Sequence, residues 1–199
     1  TTASNNTAIG RSALVANTTG ADNTAVGKSA LAANTTAANN SAFGATSLDA
    51  NTTGTQNNAF GTNALTANTT ASYNAAFGTS SLAANTTGAS NSAFGASTLA
   101  ANTTASNNTA MGYNAGTAIT TGTENTVVGA FAGDAITTGN ENTAVGKTAL
   151  SADTKGHRSV AIGQGTLATQ NFTSSTNSYN TAVGFQAGNA VTTGTLNTF

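Results

Sequence analysis

The sequence predicts an all-β fold, a parallel β-solenoid (β-roll). Two features of the chain support this prediction. First, a glycine that follows an apolar residue recurs every 17 residues from Gly10 to Gly163, and the next one, Gly184, follows after 21. A short and regular internal period is typical of solenoids. Second, the unit is rich in β-branched residues and glycine and is shorter than helical-hairpin repeats, which run to about 33 residues or more. We therefore expect about eleven stacked coils, each about 4.8 Å from the next.

The repeat extends over the whole chain, so residues 1–199 are predicted to form a single solenoid segment. The four extra residues before Gly184 predict an insertion within 170–178, in the stretch Asn171-Phe-Thr-Ser-Ser-Thr. The chain begins and ends in mid-repeat. We interpret it as a segment of a longer protein.

The composition excludes several classes of partner. Charged residues make up only 6% of the chain, against about 25% in ordinary soluble proteins, and the formal net charge is −1. We therefore expect no nucleic-acid partner, because phosphate binding needs a basic surface. Cysteine is absent, which excludes disulfides and thiolate metal sites within the chain. No apolar run is long enough to span a bilayer, so we expect no membrane insertion in this segment.

Each repeat carries two large apolar positions, one immediately before the recurrent glycine and one four residues after it. We predict that both share one narrow core, in which phenylalanines of successive coils form a buried aromatic ladder beside the leucines. The residues in question are Phe43, Phe60, Phe77 and Phe94, with Leu48, Leu65, Leu82 and Leu99. If Phe77 is buried in this way, replacing it by alanine should cost about 3–5 kcal/mol.

Three repeats differ from the others in a correlated manner. They carry glycine in place of leucine, and an aliphatic residue replaces the polar residue three positions later; the pairs are Gly116 with Ile119, Gly133 with Ile136, and Gly188 with Val191. Deleting a buried leucine costs roughly 2–5 kcal/mol. We therefore predict that the aliphatic side chain refills the volume that the leucine leaves.

Small and amide residues form further columns. Alanines recur from Ala8 to Ala110 and from Ala16 to Ala118. We interpret both columns either as faces turned away from the coil's own core and suited to lateral packing, or as tight turns that tolerate no larger side chain. An asparagine column, exemplified by Asn23, is predicted to form an amide ladder, since stacked amides can bond to one another along the axis. The recurrent glycine is expected to need a positive φ or close approach of a neighbouring backbone.

Candidate residues for chemistry are few, and we predict no catalytic, cofactor-binding or metal site. His157 is the single histidine, which excludes a two-histidine metal site within one chain. The repeat register places Glu124, Glu141 and Arg158 in one column on three successive coils, which we interpret as a solvated turn face, with a cation or ligand site as the alternative. Gly163-Gln-Gly165 follows a predicted strand as in a dinucleotide fingerprint, but Gly163 merely occupies the repeat's glycine position and no helix is predicted after it.

The tripeptide Asn-Thr-Thr occurs in six successive repeats, beginning at Asn17, and matches the N-glycosylation acceptor. Glycans on consecutive coils would lie about 4.8 Å apart and collide. We therefore interpret the tripeptide as a threonine-rich turn column.

The motif Ser159-Val-Ala-Ile-Gly163 resembles the head repeat of trimeric autotransporter adhesins, and Asn-Thr-Ala-Val-Gly at Asn23, Asn142 and Asn180 is a near relative of it. The longer unit with Ala-Leu-x-Ala-Asn-Thr-Thr-Gly resembles repeats of phage tail fibres and bacterial surface proteins. The resemblance implies a left-handed parallel β-roll, three chains side by side, and a role in attachment. This chain has a somewhat longer repeat than the adhesins.

Three functions of different classes follow. The first is a structural shaft or head of an extracellular fibre, of adhesin or tail-fibre type, on a cell or virion surface, forming a homotrimer and attaching to a host-surface or extracellular-matrix target. The second is an ice- or surface-binding solenoid that uses the threonine columns beginning at Thr18 and Thr19. The third, an enzyme, needs clustered carboxylates or histidines, whereas the run from Ala30 to Ala110 contains a single acid, Asp49. We therefore expect no catalysis and no cofactor.

Overall fold

The computed structural model describes residues 2–199, which form a parallel β-solenoid without any helix in that range. The strands are β1 Thr7–Ile9, β2 Thr24–Val26, β3 Ser41–Phe43, β4 Asn58–Phe60, β5 Ala75–Phe77, β6 Ser92–Phe94, β7 Thr109–Met111, β8 Thr126–Val128, β9 Thr143–Val145, β10 Gly156–His157, β11 Val160–Ile162, β12 Thr176–Asn177 and β13 Thr181–Val183. Eleven of them form one sheet in chain order, and β10 pairs with β12 in a second sheet. The predicted fold class is confirmed.

The 17-residue register is confirmed from β1 to β11. Thr7 pairs with Thr24, and every later pair up to β9 and β11 keeps the same offset in a parallel ladder. Hydrogen bonds between coils also continue through the turns, as from Leu31 N–H to Ser47 O at 3.0 Å and from Ala33 N–H to Asp49 O at 2.9 Å. Most of the backbone of each coil is therefore tied to the next coil.

The offset between paired residues changes only near the end of the described chain. Gly156 pairs with Thr176, an offset of 20, and Val160 pairs with Thr181, an offset of 21. The offset is still 17 at Gln170, so three of the extra residues lie between Gln170 and Thr176. The fourth lies between Asn177 and Thr181. We call the segment 172–177 the insertion loop. It adds residues to one coil while the coils on both sides remain stacked.

The core is built from the central residue of each strand and from the leucine that follows. Ala25 and its equivalents up to Ala182 are fully buried, and so are Leu31 to Leu99 and Leu150 and Leu167 in the leucine column. The prediction that the first alanine column faces away from the core is therefore wrong for these coils. In a three-residue strand the outer two side chains share one face and the central one takes the other, and the central alanine points inward.

The apolar residues before the glycines lie on the outer face of the sheet, contrary to the prediction of a buried ladder. Phe43, Phe60, Phe77 and Phe94 do stack, with ring centroids 4.7, 4.7 and 4.9 Å apart. However, Phe43 is 37% and Phe94 is 38% exposed, and Phe60 and Phe77 between them are half-buried. The coil interior already holds leucine, alanine and asparagine columns, so the larger rings lie outside it. We call the residues from Ile9 to Val183 at this position the outer apolar column.

The correlated exchange of leucine for glycine is explained by both volume and backbone conformation. Leucines of this column have φ near +50°, and Gly116 and Gly133 adopt φ of +58° and +54° at the same position. A Cβ on Gly116 would lie 2.9 Å from Ile119 Cδ1, and one on Gly133 would lie 2.9 Å from Ile136 Cδ1. Ile119 and Ile136 are buried, so they fill the volume of the missing leucines. At Gly188 a Cβ would lie 2.8 Å from Leu167 Cδ2 and 3.0 Å from Phe199 Cδ2, and Val191 is partly buried against the core.

The recurrent glycine meets both predicted requirements. Gly78 has φ +144°, and a Cβ there would lie only 2.4 Å from the carbonyl oxygen of Gly95 in the next coil. Its equivalents from Gly10 to Gly163 show φ values from +126° to +139° and similar approaches. Glycine is therefore required where the chain leaves each strand.

Candidate functional site

Two buried amide ladders run along the inside of the solenoid. In the first, which confirms the predicted ladder, Asn40 N–H donates to Asn23 Oδ1 at 3.0 Å and Asn40 Nδ2 donates to Gly54 O at 2.9 Å. In the second, Asn68 Nδ2 donates to Asn51 Oδ1 at 2.9 Å. Buried polar groups are costly unless they are hydrogen-bonded, and these ladders satisfy them by repetition.

The second ladder contains the asparagines of the Asn-Thr-Thr tripeptides. From Asn34 to Asn102 these side chains are fully buried, and their Nδ2 atoms already donate to a neighbouring asparagine and to a backbone oxygen. A glycan on such a nitrogen has no path out of the folded coil. The tripeptides are thus structural in the folded chain. The ladder ends at Ile119, which leaves Asn102 Oδ1 without a hydrogen-bond partner within residues 2–199.

The two threonine columns have different environments. Thr52 is half-buried and its hydroxyl donates to Thr69 O at 3.1 Å, and its equivalents repeat the bond. The following threonine of each coil, such as Thr53, is exposed. Only one of the two columns, from Thr19 to Thr138, therefore presents free hydroxyl groups at one per coil.

The outer apolar column extends over all eleven strands of the main sheet and carries no charge. Besides the phenylalanines it exposes Ile9 (60%), Met111 (49%) and Val183 (58%). The other outward column of the strands carries threonine, serine, asparagine, alanine or valine. No charged side chain lies in either outward column of the eleven-stranded sheet.

The predicted charged column is present on the turn before the strands. Arg158 Nε donates to Glu141 Oε2 at 2.9 Å and a second guanidinium nitrogen donates to Oε1 at 3.1 Å, so the ion pair is bidentate. A third nitrogen donates to Tyr179 Oη at 3.0 Å, and the guanidinium carbon lies 5.7 Å from the Tyr179 ring centroid. The hydrogen bonds from Arg158 lower the pKa of Glu141 below its ordinary value. Glu124 occupies the same turn on the preceding coil and is exposed.

His157 is hydrogen-bonded to the insertion loop. Asn140 N–H donates to His157 Nδ1 at 3.0 Å, so Nε2 carries the proton and donates to Ser175 Oγ at 2.8 Å. Within residues 2–199 no group of three or more histidine, aspartate or glutamate side chains is placed to hold a metal ion. No helix follows Gly163-Gln-Gly165 in the described chain, as expected for a chance match.

A buried polar network, which the sequence did not reveal, lies beneath the insertion loop. Asp153 is 1% exposed, and its carboxylate accepts from Gly156 N–H at 2.9 Å, Phe172 N–H at 3.1 Å and Gln170 Nε2 at 2.7 Å. Gln170 Oε1 in turn accepts from Asn180 Nδ2 at 2.8 Å. Asp153 and Gln170 replace the ladder asparagines here. That exchange is the one sequence signal that could have indicated a special arrangement in these coils.

Residues 2–199 enclose no pocket, and no helix in that range is long and apolar enough to cross a membrane. The surface features that remain for function are thus the outer apolar column, the exposed threonine column, and the insertion loop with its charged neighbours. Comparison of the chain with protein-family models, curated proteins and solved structures found no match.

Proposed function

We propose that this chain is a structural shaft or head segment of an extracellular fibre, of adhesin or tail-fibre type, that mediates attachment on a cell or virion surface without catalysis. The observation that carries the proposal is the hydrogen bonding between coils, which continues along eleven strands and through the turns. Such a chain is a stiff rod about 4.8 Å long per coil. Its coils repeat with nearly the same structure, as expected of a spacer.

We further propose that three copies pack side by side through the outer apolar column. The number three comes from the resemblance to trimeric adhesin heads. We choose the outer apolar column as the contact face because its side chains are partly exposed and uncharged. Chains that pack in parallel around an axis place each residue against its own copies. A column without charge permits this arrangement, since like charges at each level would repel.

The exposed apolar area of the outer apolar column provides part of such an interface. An aromatic side chain buries roughly 150–250 Å², so the 37% exposure of Phe43 leaves on the order of 70 Å² uncovered. Six of the eleven column residues are exposed and five are half-buried, so the column presents on the order of 700 Å² of surface. A trimer divides this area between two neighbours at roughly 350 Å² each, which is below the roughly 800 Å² per partner of a standard interface. The half-buried alanines from Ala16 to Ala118 add little to this area.

The association is tested by replacing Phe60 and Phe77 together with aspartate. We expect the unmodified chain to sediment as a trimer and the double variant as a monomer, because charges buried at the axis would be close to their own copies. The matched control is Thr70→Asp with Thr87→Asp, in the exposed threonine column. A monomeric unmodified chain, or a trimer that survives both aspartates, would contradict the proposed interface.

The shaft function is tested by deleting residues 62–95, two whole coils. The remaining chain should fold with the same circular dichroism per residue, and the rod measured by X-ray scattering should shorten by about 10 Å. Deletion of the eight residues 62–69 serves as the control, since it moves every column out of register and should prevent folding. Loss of folding after the two-coil deletion would show that the coils are not interchangeable spacer units.

An ice- or surface-binding solenoid remains the alternative, and the exposed threonine column favours it. Against it stands the second threonine column, whose hydroxyls bond to backbone carbonyls of the next coil. An assay of ice growth separates the two functions. Suppressed growth that is lost on replacing Thr70 and Thr87 by aspartate would support the alternative.

A further inference from the structure

The insertion loop is the one place where the repeat is broken. In repeat proteins, insertions into single repeats map to loops on one face, which is often the binding face. Here the loop lies beside the densest group of charged residues, whereas residues 50–123 carry no charge at all. An irregular, chemically varied surface thus occurs once on an otherwise uniform rod.

The loop is held in place from below by several bonds. Phe172 is 5% exposed, and its N–H donates to Asp153 while its carbonyl accepts from Lys155 N–H at 3.1 Å. The His157 ring donates to Ser175, and β12 pairs with β10. A loop fixed in this way loses little conformational entropy when it binds a ligand.

The groups that the loop and its neighbours present are suited to an acidic saccharide. Thr173, Ser174 and Ser175 are exposed hydroxyl residues, and hydroxyls both donate to and accept from sugar hydroxyls. Tyr179 is 48% exposed and is held by Arg158, so it offers an aromatic surface for the apolar face of a sugar ring. Lys155 is exposed and forms no ion pair among the described residues, which leaves its charge free for a carboxylate.

We propose that the insertion loop, Lys155 and Tyr179 form a binding site for a carboxylate-bearing saccharide. The Lys155 ammonium would pair with the carboxylate, the Tyr179 ring would cover the sugar ring, and the loop hydroxyls would bond to the sugar hydroxyls. Arg158 acts as a positioning residue, because its hydrogen bonds to Glu141 and Tyr179 fix the tyrosine. This inference rests on the attachment role proposed above and names the chemical class of its target.

Binding is tested by calorimetry of the full chain with trigalacturonic acid, with maltotriose as the neutral counterpart. We expect binding of the acidic trisaccharide only. Lys155→Gln should weaken it at least about tenfold, the equivalent of one lost charge-assisted contact, whereas Lys155→Arg should retain it within a few fold. Tyr179→Ala should weaken it similarly, and the matched control Tyr73→Ala, in the same turn column of a coil without insertion, should not.

Circular dichroism of each variant verifies that the coils remain folded. Failure of the unmodified chain to bind trigalacturonic acid, equal binding of maltotriose, or equal losses from Tyr73→Ala and Tyr179→Ala would overturn the site. The sedimentation and deletion experiments do not depend on this ligand. A trimeric, rod-shaped chain without saccharide binding would therefore refute the site alone, and a binding monomer would refute the trimeric shaft alone.

Discussion

Replacing Gly78 with alanine is expected to destabilise the solenoid by about 3–5 kcal/mol. The added Cβ would lie 2.4 Å from Gly95 O and 2.5 Å from its carbonyl carbon, and these atoms belong to a backbone that is bonded to both neighbouring coils. Overpacking of this kind costs about 1–3 kcal/mol. The φ of +144° adds strain of about 1–3 kcal/mol for a residue with a side chain.

Gly184 provides a matched control for this substitution. It has a similar φ of +134°, but a Cβ there meets nothing closer than Ala187 Cβ at 3.9 Å. Gly184→Ala should therefore cost only the conformational strain. Urea unfolding of both variants measures the difference, and equal losses would show that the approach of the next coil contributes nothing.

Replacing Leu82 with alanine is expected to cost about 3–5 kcal/mol, as found for fully buried leucines. Leu82 is completely buried and has φ +50°, and alanine has the same difficulty with a positive φ as leucine. The change thus isolates packing. Phe77→Ala is the control from the outer face, and in a single chain it should cost about 1.5 kcal/mol or less, since only part of its surface is covered.

A third substitution, Leu82→Gly, tests why three coils carry glycine at this position. It removes one more carbon than Leu82→Ala but relieves the positive φ, which costs about 1–2 kcal/mol for residues with a side chain. We expect it to be no more destabilising than Leu82→Ala. A clearly larger loss would mean that the backbone conformation is not what selects glycine at Gly116 and Gly133. The same urea unfolding experiment measures all three variants.

The fold was predictable because periodicity reports directly on stacking. A fixed 17-residue offset leaves little besides parallel, in-register coils, and the strands form at the predicted Thr-Ala-Val positions. Periodicity does not report which side of a three-residue strand faces inward. Size alone suggested phenylalanine for the core, and this is the step that was wrong.

A better signal for the inside of the coil is the uniformity of a column. The central strand residue is alanine in every coil of the eleven-stranded sheet except at Val127, whereas the outer apolar column varies among isoleucine, valine, phenylalanine and methionine. A coil interior of fixed width accepts side chains of one size, whereas the outer face accepts side chains of several sizes. The exception supports this reasoning, because Val127 side-chain atoms approach the positions of Gly116 and Gly133, where leucine is missing.

The surface site was less predictable than the fold. The sequence placed Glu141 and Arg158 in one column, and the structure joins them in an ion pair. The exchange of two ladder asparagines for Asp153 and Gln170 marked these coils as different, but it did not indicate a buried network with Asn180, because that network depends on how the insertion folds back on the preceding coil. The repeat makes it possible to predict which residues of successive coils lie in one column. Where an insertion interrupts the repeat, the contacts can no longer be predicted in this way.

The near identity of the coils has a further consequence for how the chain folds. A strand that pairs with the next coil but one, at an offset of 34 residues, would find alanine, leucine and asparagine partners almost as good as its native ones, so mispaired states compete closely with the native state. The irregular coils remove this degeneracy. A mispairing that carries Ile119 into the asparagine ladder, or shifts the insertion loop away from Asp153, loses specific bonds and packing. The rare departures from the repeat thus favour the native pairing register of the regular coils.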